Sequence, residues 1–231
     1  IWVGKLGADA IAAVGLSAMV IMVAGALMMG LFTSLRAMVA RYIGAGDEKE
    51  AAQAVQQAFV LGALFSIIMA VIGIFLSKQM LTLFGAEARV IEEAVSYNKI
   101  QFVGMVTMTL RMITEATMQS SGDTATAMKI GVGFRFFHMT FCPFLVFGWW
   151  IFPRLGVSGA AVTNVISQTL GVTIGLWFLL SGRTRLRLTF RNFRFDPGMI
   201  WRIVKVGIPG SVAGMERTFG QTVLTWLIAP F

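Results

Sequence analysis

The sequence holds one cysteine, Cys142, and one histidine, His138. A lone thiol closes no disulfide within the chain, and one His with one Cys makes no zinc constellation. Charge is scarce as well. Only 13% of the 231 residues are Asp, Glu, Lys or Arg, where a soluble globular domain carries about 25%. What is there instead is apolar: 57% of residues are hydrophobic and the mean hydropathy is +0.78. These figures exclude a soluble enzyme, a disordered chain and a disulfide scaffold. A membrane-embedded enzyme is disfavoured too, because no nucleophile–base set and no metal-ligand cluster is present. The remaining charge is lopsided, with 19 basic against 11 acidic residues, a net +8 and a pI of about 10.4. In a soluble protein that balance points to nucleic acid. In so apolar a chain it points to the cytoplasmic face of a bilayer and its anionic lipids, with no nucleic-acid partner.

Six apolar segments follow one another: about Ala10–Ile43, Ala51–Phe84, Val95–Gln119, Met128–Phe152, Val157–Leu180 and Met199 to the end. Each is long enough to cross about 30 Å of hydrocarbon as a helix, and in lipid each must satisfy its own backbone hydrogen bonds. The expected fold is therefore all-α, a polytopic transmembrane bundle, with 25 glycines available for close helix approach. Short polar breaks separate the first five segments, at Gly44–Asp47, Phe84–Glu87, Ser121–Thr124 and Pro153–Gly156. The fifth connection, Ser181–Gly198, is longer and basic. Arg183, Arg185, Arg187, Arg191, Arg194, Arg202 and Lys205 lie in it or just after it, against Asp196. The positive-inside rule places it in the cytoplasm. Alternation then puts Gly46 and Gly122 inside, Gly85 and Gly156 outside. The acidic Glu87, Glu92 and Glu93 agree with that, as do Arg36, Arg41 and Lys49 beside an inside turn. Of three readings of Arg183–Arg194 (a strand, an RNA-binding arm or a lipid-facing basic linker), the linker is preferred. The first residue is not Met and the last run, Leu224–Phe231, is apolar, which predicts an internal piece of a longer membrane protein.

A charge at mid-bilayer costs about 2.5–3.5 kcal/mol even on insertion scales, so each one asks for a reason. Arg111 and Glu115 are four apart on the third segment, Arg135 and His138 three apart on the fourth, and Glu216 and Arg217 adjacent in the sixth. They are candidates for a proton, cation or substrate site, with a structural helix-locking pair or snorkelling as the alternative. Arg111 and Arg135 read as counter-ions. On the fifth segment Asn164, Ser167 and Gln168 share a face at i, i+3, i+4, suited to helix–helix hydrogen bonding or to lining a cavity. Cys142 reads as a small packing residue. The 15 Met and 19 Phe read mostly as packing or lipid-facing, with loose apolar recognition in a cavity as the alternative.

Several motifs occur in a telling order. Val3-Gly4-Lys5-Leu6-Gly7 precedes Ala12-Ala13-Val14-Gly15, and Ala40–Asp47 and Gly122-Asp123-Thr124 follow. Leu155–Val162 with Ser167-Gln168, and Val206-Gly207-Ile208-Pro209, complete the set. In order and spacing the chain resembles the multidrug and toxin extrusion (MATE) family of cation-coupled transporters. The resemblance implies twelve helices in two six-helix lobes. Residues 1–182 would be the N-terminal lobe (the end of helix 1 and helices 2–6), 183–198 the cytoplasmic inter-lobe loop, and 199–231 the start of the C-terminal lobe with helix 7. It implies a secondary active antiporter in the cell membrane that exports cationic or amphipathic small molecules against Na⁺ or H⁺ by alternating access. The partners would be a small-molecule substrate and the bilayer, the full-length protein a monomer, and no cofactor needed beyond the coupling ion. A lipid-linked oligosaccharide flippase or polysaccharide exporter of the same superfamily is the alternative, kept open by Arg111, Arg135 and Arg217.

The resemblance also carries site residues. In one branch of the family, helix 5 holds an Asn and, four residues on, an Asp followed by Pro. Here His138 stands at the Asn position and Cys142, before Pro143, at the Asp position. A neutral thiol does not replace a carboxylate electrostatically. A helix 6 Thr of that branch falls on Asn164. Other members place a cation-binding Glu in helix 7 soon after Gly-x-Pro, close to Glu216, where a transient Na⁺ is expected. Glu115 with His138 is the further expectation for a replacement polar site.

Overall fold

The computed structural model describes residues 2–83, 88–190 and 193–228; the Phe84–Glu87 turn and Arg191 lie outside them, as do the side chains of Glu92, Glu93 and Arg217. Among the described residues, six α-helices follow a short 3₁₀ turn at Val3–Leu6: α1 (Ala8–Gly44), α2 (Glu48–Leu83), α3 (Ala88–Ser120), α4 (Thr124–Phe147), α5 (Gly156–Leu180) and α6 (Pro197–Ile228). Among the described residues, four of them (α1, α2, α4 and α5) are long and apolar enough to cross a membrane. Local chemistry sets the boundaries. Asp47 caps α2 by accepting a hydrogen bond from the Glu50 N–H at 3.1 Å, and Asp196 caps α6 by accepting from the Met199 N–H at 3.0 Å, with Pro197 in the first helical position. The fourth segment ends sooner than its apolar run. Gly148 is left-handed (φ 72°), and the N–H groups of Gly148 and Trp149 both donate to the Phe144 carbonyl, which closes α4 at Phe147 and turns Trp149–Phe152 away from it.

The bundle is built around α3, which packs on α1, α2 and α5; α4 covers α5, and α6 lies along α1. Small residues let the backbones approach. Gly73 on α2 gives its space to the ring of Phe102, a fully buried side chain on α3. Gly30 on α1 meets Gly207 of α6, and beside this crossing the Ser34 hydroxyl donates to the Ile203 carbonyl at 2.7 Å. This is the packing of membrane helices, where close van der Waals contact replaces the drive to leave water.

The basic connection, expected to be a lipid-facing linker, packs one of its faces on the bundle. It is a strap across one end of the bundle. Thr184, Leu186 and Leu188 are buried while Arg183, Arg185 and Arg187 are exposed, so the alternation of the sequence is the alternation of an extended segment with one face docked. Gln53, Gln56 and Gln57 on one face of α2 hold it: Gln53 donates to the Asp196 carboxylate at 3.1 Å, Gln56 to the Thr189 carbonyl, and Gln57 to the Arg194 carbonyl at 2.7 Å. Asp123 accepts from the Arg185 N–H at 2.6 Å. The strap therefore gathers the Gly46 and Gly122 turns at its own end, as alternation requires.

Replacing Gly73 by Ala puts a methyl group into the Phe102 ring; the expected cost is about 1–3 kcal/mol, seen as a lower melting temperature in detergent.

Candidate functional site

The polar residues of α3 and α5 face each other and form one chain of hydrogen bonds. Arg111 Nη1 pairs with Glu115 Oε1, and Arg111 Nε donates to Gln168 Oε1. Gln168 Nε2 donates to Asn164 Oδ1 at 3.4 Å, Asn164 Nδ2 to Gln101 Oε1 at 3.1 Å, and Gln101 Nε2 to the Tyr97 hydroxyl oxygen at 3.0 Å. The helical spacings Tyr97/Gln101, Arg111/Glu115 and Asn164/Gln168, each four apart, place every member on the shared face. The chain satisfies the buried amides and a guanidinium that would otherwise cost several kcal/mol apiece in so apolar a setting, on the order of 2–7 kcal/mol for an unbonded amide. Ser167, the third member of the expected stripe, turns into its own helix and donates to the Thr163 carbonyl.

Arg111 is enclosed on three sides. Its guanidinium carbon lies 4.3 Å from the centroid of the Phe134 ring of α4, a cation–π contact, and Gly171 on α5 leaves room for its aliphatic stem. Glu115 looks across to Gly131 of α4. Two cavities open on this arrangement. One, of about 600 Å³, is lined by Arg111, Glu115, Gln119, Thr124, Phe134 and Arg135 among others. The second, of about 570 Å³, is lined by Phe134, Arg135, His138, Cys142, Asn164 and Gln168, and by Trp2 and Tyr97. They meet at Phe134 and Arg135, and together they follow α4 from Thr124 to Cys142. A third cavity, of about 560 Å³ between α1 and α3, is lined by Met22, Met28, Met29, Met105, Met108 and Met112, with Tyr97 and Gln101 on its wall. Among the described residues no group of three His, Cys, Asp or Glu side chains is placed to hold a metal ion.

Seven of the eight candidate residues thus line two adjoining cavities. Glu115 and His138, expected to share a site, are divided between them: Glu115 pairs with Arg111, while His138 faces the backbone of Ala160. Glu216 is apart from both, exposed on α6. Tyr97 and Gln101 were missed in sequence. Their signal was the four-residue spacing of two polar groups in an apolar helix, the same signal that Arg111 and Glu115 carry.

Removing one member of the ion pair leaves a buried charge alone. Arg111→Ala is expected to cost about 3–5 kcal/mol, whereas the double variant Arg111→Met, Glu115→Leu stays close to the parent; thermal denaturation in detergent distinguishes them.

The MatE family model matches residues 1–144. Multidrug resistance protein NorM of Burkholderia vietnamiensis is 28% identical over 225 residues, covering 96% of this chain and 48% of that protein. The FAD transporter of Shewanella oneidensis is 23% identical, covering 99% and 50%. Solved structures of a multidrug resistance MATE family transporter of the MOP superfamily, both 24% identical, superimpose in the inward-facing state (TM-score 0.85, 94% of this chain and 49% of that one) and in the outward-facing state (0.87, 97% and 49%). The chain spans about half the length of the relatives it matches. Helical in its described residues, with four helices fit for a bilayer, and matched over more than half its length by one family model, this chain belongs to the MatE family of membrane transporters, not to the enzymes.

Proposed function

We propose that this chain forms half of a secondary antiporter that exports amphipathic small molecules, organic cations among them, in exchange for H⁺ or Na⁺. The observation that carries the proposal is the Arg111–Glu115 pair, enclosed by helices yet open to a cavity. Such a pair has two states that differ by one ion. With Glu115 ionised, the pair is closed. With a proton on Glu115, the carboxylate is neutral and Arg111 is held by Gln168 and Phe134 alone. A cationic substrate that approaches the carboxylate competes with that proton, and coupling of transport to an ion gradient requires a linkage of this kind. The guanidinium beside Glu115 repels a sodium ion there, and a proton binds the carboxylate only by opening the pair. Glu216, exposed on α6, is the acid suited to Na⁺.

The geometry also supports alternating access. The likeness to inward- and outward-facing structures is nearly equal, which favours a unit that moves as a whole. The strap, with Arg183, Arg185 and Arg187 outward, suits the cytoplasmic surface of the cell membrane, and the Glu115 cavity reaches Gln119 and Thr124 at the same end. A substrate would enter it from the cytoplasm. We assign the full-length transporter as a monomer needing no cofactor beyond its coupling ion.

The test is efflux of rhodamine 6G from proteoliposomes of the full-length transporter under separate H⁺ and Na⁺ gradients. Parent protein is expected to respond to the H⁺ gradient and Glu115→Gln to lose that response. A response to neither gradient, or an undiminished one in Glu115→Gln, overturns the proposal.

A further inference from the structure

The cavities along α4 carry more positive charge than a site built only for cations would. Their charged lining, among the described residues, is Arg111, Arg135 and Glu115. Glu115 is already engaged by Arg111, the one ion pair among the described residues. Arg135 is left with no carboxylate partner there. It stands near the middle of α4, at the place where the two cavities meet, and its guanidinium carbon is 5.6 Å from the centroid of the Phe134 ring. Arg135 lines both cavities and is exposed, while its neighbour Phe134 is buried.

A guanidinium on the wall of a largely apolar cavity, beside an aromatic ring and without its own anion, is a receptor for one. We infer that Arg135 binds the carboxylate or phosphate of an aromatic substrate of this transporter, an inference that rests on the transport reading above. Phe134, Met112, Met128 and Met139 supply the apolar surface for the body of such a molecule. The volumes, about 600 and 570 Å³, are those of cavities that hold drug-sized ligands. Glu115 faces the first cavity as well, so a substrate with an amine besides its anionic group meets a counter-charge at each end. Arg135 is thus a specificity-determining residue, separate from the pair that handles the coupling ion.

The experiment uses the full-length transporter in phosphatidylcholine nanodiscs and follows fluorescence anisotropy of fluorescein, an aromatic carboxylate, and of rhodamine 6G, its cationic counterpart. Fluorescein is expected to bind. Arg135→Gln is expected to weaken it about tenfold or more and Arg135→Lys by less, because the charge stays while the guanidinium fork is lost; rhodamine 6G binding is expected to tighten in Arg135→Gln, because a positive charge leaves the cavity wall. Equal fluorescein affinity in parent and Arg135→Gln, or no fluorescein binding by the parent, overturns the inference. So does an Arg135→Gln effect confined to added phosphatidylglycerol, which would make Arg135 a lipid headgroup contact. Arg135-dependent fluorescein binding in a preparation that shows no gradient-driven efflux sustains the inference and sinks the antiporter reading alone.

Discussion

An arginine and a glutamate cannot sit among membrane helices unless each is answered by the other and by neutral donors and acceptors around them. The Arg111–Glu115 pair meets that condition with one turn of α3, the side-chain amide oxygen of Gln168 on α5 and the ring of Phe134 on α4. The burial penalty for such a pair is several kcal/mol per ion, and the mutual attraction offsets it only when the surrounding hydrogen bonds are made. That requirement fixes which faces of α3, α4 and α5 turn inward. It also fixes where glycine must stand, because Gly171 is the residue whose missing side chain admits the arginine stem. Cavity, polar chain and helix facing are consequences of the same constraint.

The rest of the bundle answers a different demand, that helices in lipid gain contact without help from water. Gly73 against Phe102 and Gly30 against Gly207 bring backbones close where larger residues would hold them apart. The strap adds a tie at one end: Leu186 and Leu188 are buried, and three glutamines of α2 bind its backbone or its Asp196. Elements joined in this way are suited to move together, and the strap leads directly into α6, which lies along α1.

Much of this was legible in the sequence. The six apolar runs became six helices, because a span in lipid has few alternatives to the helix. The family resemblance was legible from motif order, and the charged residues stranded in α3 and α4 were found because hydrocarbon makes each of them conspicuous. What was not legible depends on tertiary contact. That Glu115 and His138 line different, adjoining cavities was not legible, because spacing places residues on a face but does not say which neighbour that face meets; Arg111, one turn away, pairs with Glu115. The strap was read as a linker because its charges dominate its composition, although its alternating Thr184, Leu186 and Leu188 already held the pattern of a docked edge. The end of α4 depended on the left-handed geometry of Gly148, which an apolar run does not announce.

In the transport cycle proposed above, Glu115 takes up and gives back a proton as substrate comes and goes. The most direct measurement is proton release by purified full-length transporter on binding rhodamine 6G in weakly buffered detergent solution, read with a pH indicator. The expected result is proton release on dye binding, abolished in Glu115→Gln. Binding with no proton released, or release that persists unchanged in Glu115→Gln, would contradict it.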